Sequence, residues 1–243
     1  MSAIHHTMAN KGNPYSAKIE YLESSGTQYI DTGIVLKPNY KYEVTFSCVD
    51  TNTGSKFLFG MYSFRSQDST QALKDNFGVN CLGSWETNNP KIAIYSYPDN
   101  GKADSSFPNA PQVASRTVAV RYGEPNTVSH DSGVTYFNGE EIINRPSSMP
   151  NNPYNIPSYL FASGTRQQDT SVKPTYFFTG RIMSAKIKDA SGNLLRYFIP
   201  VRKKDIGYMY DRVSEQLFGN QGTGAFIIGP DVASANGGGI TAN

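Results

Sequence analysis

Trp85 is the only tryptophan of the chain, and it lies in the polar segment GSWETNNP beside Glu86, Asn88 and Asn89. A saccharide presents C–H faces as well as hydroxyl groups. An indole ring next to amides and a carboxylate is therefore the chemistry expected of a carbohydrate contact. Tyr97 ends the next alternating stretch, IAIYSY, just before another polar loop. These residue types predict a carbohydrate site at Trp85, Asn88 and Tyr97.

Structural roles are the alternative for the same aromatic residues. Large aromatic side chains are usually mostly buried, so Trp85 can instead cover one end of a folded domain. Tyr97 can likewise serve in cross-strand packing. The sequence leaves both interpretations open.

No residue pattern of the chain indicates catalysis. Gly-x-Ser-x-Gly, His-Glu-x-x-His and phosphate-loop motifs are all missing from the sequence. His130 and Asp131 lie in a Ser- and Asp-rich stretch and are interpreted as an exposed loop pair, because no nucleophile lies near them in the sequence. Asp211 is interpreted as a turn or cap residue. We therefore expect no catalytic residues.

Metal and cofactor sites are not expected either. Neither the spacing of Cys48 and Cys81 nor that of the histidines resembles a metal site. The segment DNGKAD, residues 99–104, lacks the alternating acids of an EF-hand loop. The two cysteines are interpreted as buried free thiols, although a disulfide between them stays open.

Composition limits the classes of partner. Lys and Arg total 22 against 20 Asp and Glu, so the formal net charge is only +2. This near balance gives no electrostatic basis for binding nucleic acid or a membrane surface. No stretch is long and apolar enough to span a bilayer, and the N-terminal residues lack the apolar segment of a signal peptide. We expect no nucleic acid, no membrane insertion and no secretory leader.

The elements that must position any site are strands. The 243 residues are enough for one large all-β domain, and alternating stretches predict about a dozen short strands. In YKYEVTFSCV, Tyr42, Val44 and Phe46 share the face predicted to be buried, and the polar residues between them share the other. In VTYFNGEEII, residues 134–143, Asn138 and Gly139 predict the tight turn of a hairpin.

Two further stretches carry specific predictions. TYFFTGRIMSAKIKD, residues 175–189, predicts a long strand with a bulge or bend at Gly180 and with Met183, Ala185 and Ile187 on one side. YLESSGTQYIDTG, residues 21–33, predicts two short strands joined by a Ser-Ser-Gly turn. We interpret the latter as the start of the fold rather than a functional motif, because a strand–turn–strand unit explains it fully.

The two ends of the chain resemble those of a concanavalin A-like lectin/glucanase domain. The residues that carry the resemblance are YLESSGTQYIDTG and GRIMSAKIKDASGNLLRYFIPVRKKDIGYMYDRVSEQLFGNQGTGAF, residues 180–226. The similar form is the laminin-G-like domain of tailed-phage virion proteins and gut-bacterial surface proteins. The resemblance covers about residues 18–230. It implies an all-β, two-sheet antiparallel jelly-roll sandwich whose first and last strands meet in one sheet.

The resemblance also bears on activity. Relatives on this fold that hydrolyse β-glucans carry a Glu-x-Asp-x-x-Glu strand motif, which no Glu of this chain matches. The resemblance thus implies a non-enzymatic virion surface protein of a tailed phage, such as a capsid decoration, head-fibre or tail adhesin module that binds carbohydrate. One alternative is a secreted glycan-binding or glycan-cleaving protein of a gut bacterium, located outside the cell or on its surface. Another is a purely structural module for protein–protein contacts.

Three segments make up the predicted domain organisation. Residues 1–16 are predicted to form a flexible arm, residues 17–230 the lectin-like sandwich and residues 231–243 a flexible Gly-rich tail. In a virion, the arm is expected to dock onto other virion proteins, and homo-oligomers are open. No composition shift within residues 17–230 indicates a second domain.

Overall fold

A computed structural model describes residues 13–49, 55–64, 74–82, 91–96, 114–144, 154–167 and 169–233. These residues form nineteen strands and no helix. The strands are β1 (Ala17–Lys18), β2 (Leu22–Ser25), β3 (Ile30–Val35), β4 (Lys41–Cys48), β5 (Ser55–Phe64), β6 (Lys74–Leu82), β7 (Lys91–Ser96), β8 (Ala114–Ala119), β9 (Asn126–Asp131), β10 (Val134–Phe137), β11 (Glu140–Asn144), β12 (Pro157–Leu160), β13 (Ser163–Arg166), β14 (Val172–Thr175), β15 (Thr179–Lys188), β16 (Leu194–Lys203), β17 (Ile206–Asp211), β18 (Gln216–Phe218) and β19 (Ile227–Ile228). Within the described ranges, no helix is long and apolar enough to cross a membrane.

The strands form two sheets. Sheet I has eleven strands in the order β11-β10-β9-β4-β15-β16-β17-β18, with β1 beside β16, β2 beside β15 and β19 beside β2. Sheet II has eight strands in the order β14-β13-β5-β6-β7-β8, with β12 joining β5 to β3. Among the described ladders only that between β5 and β13 is parallel. The predicted two-sheet antiparallel sandwich is confirmed, and the first and last strands do meet in one sheet.

A single hydrophobic core lies between the sheets. Tyr42, Val44 and Phe46 of β4 point into it, as predicted, and are at most 4 % exposed. The ring of Tyr42 in sheet I packs at 5.2 Å from the ring of Phe59 in sheet II, in an edge-to-face arrangement that aromatic pairs favour. Cys48 is buried in the same core and forms no disulfide. The interpretation of Cys48 as a buried free thiol is confirmed.

The opening motif connects the two sheets. Its strands β2 and β3 do not pair with each other, because β2 pairs with β15 in sheet I and β3 with β12 in sheet II. Gln28, Ile30 and Thr32 are buried, as their alternation predicts. The loop at residues 220–224 covers the turn between the strands, where Thr223 donates its backbone N–H to Thr27 O at 3.2 Å. The motif starts the fold, as predicted.

Both ends of the described chain lie along β16. Ala17 of β1 is opposite Arg202 of β16, and the N–H of Ser16 donates to Arg202 O at 2.8 Å. The guanidinium of Arg202 also forms an ion pair with Asp231 at 2.6 Å. Residues 16–18 and 231 therefore lie together at one end of sheet I.

The 175–189 stretch differs from its prediction in two respects. Residue 175 ends β14 and β15 begins only at Thr179, so the stretch contains parts of two strands. The register with β4 shifts between Ile182 and Ser184, which places the bulge at Met183 rather than at Gly180. Met183 consequently leaves the buried face that Ala185 and Ile187 share. Gly180 has φ of 153°, and a Cβ there would lie 2.7 Å from Ser47 O, so glycine is needed for close approach.

Candidate functional site

The predicted carbohydrate residues lie outside the described residues. Trp85 and Asn88 belong to the segment between the end of β6 at Leu82 and the start of β7 at Lys91, and Tyr97 follows the end of β7 at Ser96. Strands β6 and β7 are neighbours in sheet II. The assignment of Trp85, Asn88 and Tyr97 to a carbohydrate site stays a prediction.

A different site is formed on the outer face of sheet I. There, a cleft of about 260 Å³ opens across four adjacent strands, β10, β9, β4 and β15. Side chains alternate between the two faces of a strand, so the polar residues between the core positions point into this cleft. We call it the outer cleft. Its lining side chains on the solvent face are Lys41, Glu43, Ser129, Asp131, Tyr136, Lys186 and Lys188.

Strand register brings these residues together. Glu43 of β4 lies opposite Ser129 of β9 on one side and opposite Lys186 of β15 on the other. Ser129 in turn lies opposite Tyr136 of β10. Cβ atoms of directly opposed residues are about 5 Å apart, so a phenol ring, a hydroxyl, a carboxylate and an ammonium form one continuous row.

Two ion pairs cross the outer cleft. The ammonium of Lys186 contacts Glu43 Oε1 at 2.8 Å, and this hydrogen bond raises the pKa of Lys186. The ammonium of Lys41 contacts Asp131 Oδ1 at 2.9 Å. Partial burial favours a higher pKa for Asp131, but hydrogen bonds from Lys41 and Ser132 together with the positive charge of Lys41 lower it overall. Asp131 therefore stays ionised at neutral pH.

Beneath the outer cleft lies a buried aromatic pair. The imidazole of His130 stacks on the ring of Tyr42, with centroids 5.5 Å apart and an interplanar angle of 13°. The Nδ1 atom of His130 also lies 3.0 Å from the hydroxyl of Thr135. Burial lowers the pKa of His130 to about 4, although the nearby Asp131 charge acts in the opposite direction. The imidazole is therefore neutral at neutral pH and supports the base of the cleft.

The interpretation of His130 and Asp131 as an exposed loop pair is wrong. His130 is 3 % exposed and belongs to β9, and only Asp131 lies on the solvent side. Adjacent strand residues point to opposite faces, so the two side chains cannot act as a dyad. The polar residues of SHDSG predicted a loop, although the strand continues to Asp131. The turn follows directly after it, at Ser132 and Gly133, which have positive φ angles. The sequence offers little signal for this strand, since only Val128 is apolar among its buried positions Asn126, Val128 and His130.

Beyond the outer cleft the same face of sheet I stays polar. Tyr197 of β16 continues the row. The ammonium of Lys186 and the guanidinium of Arg212 each lie 5.2 Å from the centroid of the Tyr197 ring, as cation–π contacts. Three strands separate β10 from β16, which places Tyr136 and Tyr197 roughly 19 Å apart at the usual strand spacing. Ring faces thus flank a set of charged and hydroxyl groups that can hydrogen-bond to a polyhydroxylated ligand.

Other acidic residues have structural roles. Asp211 is buried and accepts hydrogen bonds from the backbone N–H groups of Tyr197, Val213 and Ser214 at 2.8–3.1 Å, which confirms it as a turn residue. Glu140 and Glu141 are exposed on the hairpin edge. In the described part of the chain, no group of three or more His, Cys, Asp and Glu side chains is placed to hold a metal ion.

Sequence reasoning missed the outer cleft. It placed Lys41 and Glu43 on the outward face of β4 but did not connect them with Ser129 or Lys186. These residues come from strands that are distant in the chain, and adjacency of β9, β4 and β15 follows from topology rather than from local pattern. The weak signal was the recurrence of Lys, Glu and Ser at outward positions of alternating stretches.

Comparison with known proteins gives weak likenesses only. The chain matches no protein-family model and no curated protein. Among solved structures it is similar to the CBM40 module of the Ruminococcus gnavus IT-sialidase, at 15% identity and a TM-score of 0.40, over 69% of this chain and 89% of that one. It is also similar to a full-length tailspike protein of an Escherichia coli bacteriophage, at 9% identity and a TM-score of 0.39, over 74% of this chain and 26% of that one. A third is a heptameric SAP-like pentraxin from Limulus polyphemus, at 12% identity and a TM-score of 0.37, over 89% of this chain and 96% of that one. Nothing about ligands or activity follows from likenesses this weak.

Proposed function

We propose that this protein is a non-enzymatic carbohydrate-binding module and that saccharide binds in the outer cleft. The observation that carries the proposal is the continuous row of Tyr136, Ser129, Glu43 and Lys186 across four neighbouring strands. Saccharide hydroxyls need donors and acceptors held in fixed positions, and a ring face needs an aromatic surface. Side chains on a sheet supply both from a rigid scaffold.

The electrostatics of the outer cleft support binding rather than glycoside hydrolysis. Hydrolysis requires one carboxyl group with a raised pKa to protonate the leaving group. The pKa of Asp131 is instead lowered, and both Asp131 and Glu43 are held by lysines at 2.8–2.9 Å. The Asp131 carboxylate is therefore suited to accept hydrogen bonds from hydroxyl groups and not to donate a proton.

A role as a surface module is supported by the distance between the outer cleft and Ala17 of β1. Lys188 of the outer cleft is opposite Leu194, at the start of β16, and Ala17 is opposite Arg202, near the end of β16. Leu194 and Arg202 are eight residue steps apart along the extended strand, which corresponds to roughly 26 Å. Attachment through the segments that precede Ala17 and follow Asp231 would therefore leave the cleft about 26 Å from the point where those segments join the sheet.

We propose that this module belongs to the virion surface of a tailed phage, as a capsid decoration, head-fibre or tail adhesin module that contacts other virion proteins. The same geometry would serve a secreted glycan-binding protein at a gut-bacterial surface. Neighbouring capsid or tail genes would support the virion role. A leader peptide encoded upstream in the natural gene would favour the secreted alternative.

The segment that carries Trp85 and Asn88, together with Tyr97, is proposed as a second carbohydrate contact. This segment connects β6 to β7 of sheet II, whereas the outer cleft lies on sheet I. The two proposals therefore require separate variants.

A glycan array probed with the full chain tests the proposed function. We expect retention of at least one class of saccharide, and we expect Glu43→Gln to weaken it by about tenfold or more because a charged acceptor is lost. The matched control is Glu20→Gln, since Glu20 is exposed outside the cleft. No retention of any saccharide by the unsubstituted chain would refute carbohydrate binding. Equal retention by Glu43→Gln and the control would remove the site from the outer cleft.

A further inference from the structure

The geometry points to an acidic saccharide as the ligand of the outer cleft, with its carboxylate or sulfate group held between Lys41 and Lys188. The inference rests on the proposed carbohydrate binding and names the chemical class of ligand. It is drawn from the distribution of charge over the described lining residues.

Lys41 and Lys188 are direct cross-strand neighbours. They face each other on β4 and β15 and both line the outer cleft. Like charges at directly opposed positions destabilise a sheet unless a counterion lies between them. Such a pair on the rim of a cleft favours an anionic ligand.

Only one of these two lysines is neutralised by the protein. Lys41 forms its ion pair with Asp131, whereas Lys188 is exposed and forms no ion pair within the described ranges. The third lysine, Lys186, is held by Glu43. Three ammonium groups thus face two carboxylates, and the uncompensated positive charge is that of Lys188.

A single acidic saccharide ring would satisfy the whole set of groups. Its anionic group would accept charge-assisted hydrogen bonds from Lys188 and Lys41, which are about twice as strong as neutral ones. Its hydroxyl groups would meet Ser129 and Glu43 in the next row, two residues along β9 and β4. The cleft volume of about 260 Å³ lies just below the range usual for small-molecule sites, which suits one ring better than a long chain.

The test uses calorimetric titration of the full chain with three matched sets of saccharides: neutral hexose oligomers, the corresponding uronic acid oligomers and their sulfate esters. The variants are Lys188→Gln and, as a matched control, Lys18→Gln. Lys18 is exposed on β1 at the opposite end of the same sheet. We expect the acidic sets to bind at least about tenfold more tightly than the neutral set, and Lys188→Gln to remove that preference. Lys18→Gln should leave it unchanged.

Salt provides a second measurement. Raising the ionic strength from about 0.1 M to about 1 M shortens the Debye length from about 10 Å to about 3 Å, so binding of the acidic sets should weaken while that of neutral sugars should not. Preference for uronic acids over sulfate esters, or the reverse, identifies which anionic group the lysines accept.

The outcomes separate the two proposals. Binding of none of the three sets would overturn this inference, and together with no retention on the glycan array it would refute the proposed function itself. Equal binding of neutral and acidic sets would leave carbohydrate binding in place and overturn this inference. A preference for acidic sugars that survives Lys188→Gln would overturn the assignment to the lysine pair.

Discussion

The side-chain amide oxygen of Gln28 accepts a 2.9 Å hydrogen bond from the hydroxyl of Ser24, and both side chains are buried. The same oxygen accepts the backbone N–H of Ser25 at 2.9 Å. The side-chain amide of Gln28 thus supplies the acceptor for two groups at the end of β2. There the chain crosses from sheet I to sheet II. The opening motif has a structural explanation in this contact.

Replacing Gln28 with leucine should destabilise the protein by about 1–3 kcal/mol, because the buried Ser24 hydroxyl and the Ser25 N–H lose their acceptor. Urea unfolding measures the change in the free energy of unfolding. Gln216→Leu is the matched control, since Gln216 is exposed on β18, and its effect should stay within about 0.5 kcal/mol. Equal effects of the two substitutions would contradict the role given to Gln28.

Phe46→Ala should lower the free energy of unfolding by about 3–5 kcal/mol, because the side chain is fully buried and its removal leaves a cavity. Val172→Ala on the exposed edge strand β14 should change it little. Denaturant titrations of both variants check this. A loss of less than about 1 kcal/mol for Phe46→Ala would be inconsistent with the two-sheet core.

Stability should depend on the protonation of His130. Burial lowers its pKa from 6.5 to about 4, so the folded state excludes a proton that the unfolded chain binds. The stability that depends on the neutral imidazole is fully present above pH 6.5. It is lost as the pH falls from 6.5 through about 4, by on the order of 3 kcal/mol. Unfolding free energies measured across this interval should show the decline.

His130→Gln provides the comparison, because glutamine cannot be protonated here. The variant should show a flatter pH profile between about pH 4 and 6.5. The lowered pKa of Asp131 stabilises the folded state throughout this interval, and that stabilisation is lost only at lower pH, as the carboxylate becomes protonated. The same slope in both proteins would show that His130 is not the titrating group.

Trp85→Ala separates the two interpretations of the only tryptophan. If Trp85 provides a stacking face for a sugar, the substitution should abolish retention at that site and leave thermal stability nearly unchanged. If Trp85 instead covers the sandwich, the substitution should destabilise by a few kcal/mol with no effect on binding. Calorimetry and a glycan-binding assay on this variant decide between them.

The strands were largely predictable because their pattern is local. The alternation in β4 gave the buried positions of Tyr42, Val44 and Phe46, and Asn138-Gly139 gave the hairpin, where both residues do have positive φ angles. The bulge at Met183 was not predictable from alternation, since a bulge changes the phase of every later position without a distinct residue signal.

The outer cleft could not be predicted from the sequence, because it depends on which strands are neighbours in the sheet. The contact of Lys186 with Glu43 joins positions 143 residues apart, and nothing in the local pattern links them. His130 was misjudged for a related reason, because its polar neighbours suggested a loop although the tertiary structure continues β9 through it. Alternation predicts the face of a residue but not the partner across the sheet.

The most direct test of the central claim is a map of backbone amide chemical shifts of the full chain, recorded with and without the saccharide that the glycan array selects. Binding in the outer cleft predicts the largest shifts at Glu43, Ser129 and Lys186 on three adjacent strands of sheet I. Shifts confined to residues 83–97 would contradict that claim and place the sugar at the segment that carries Trp85.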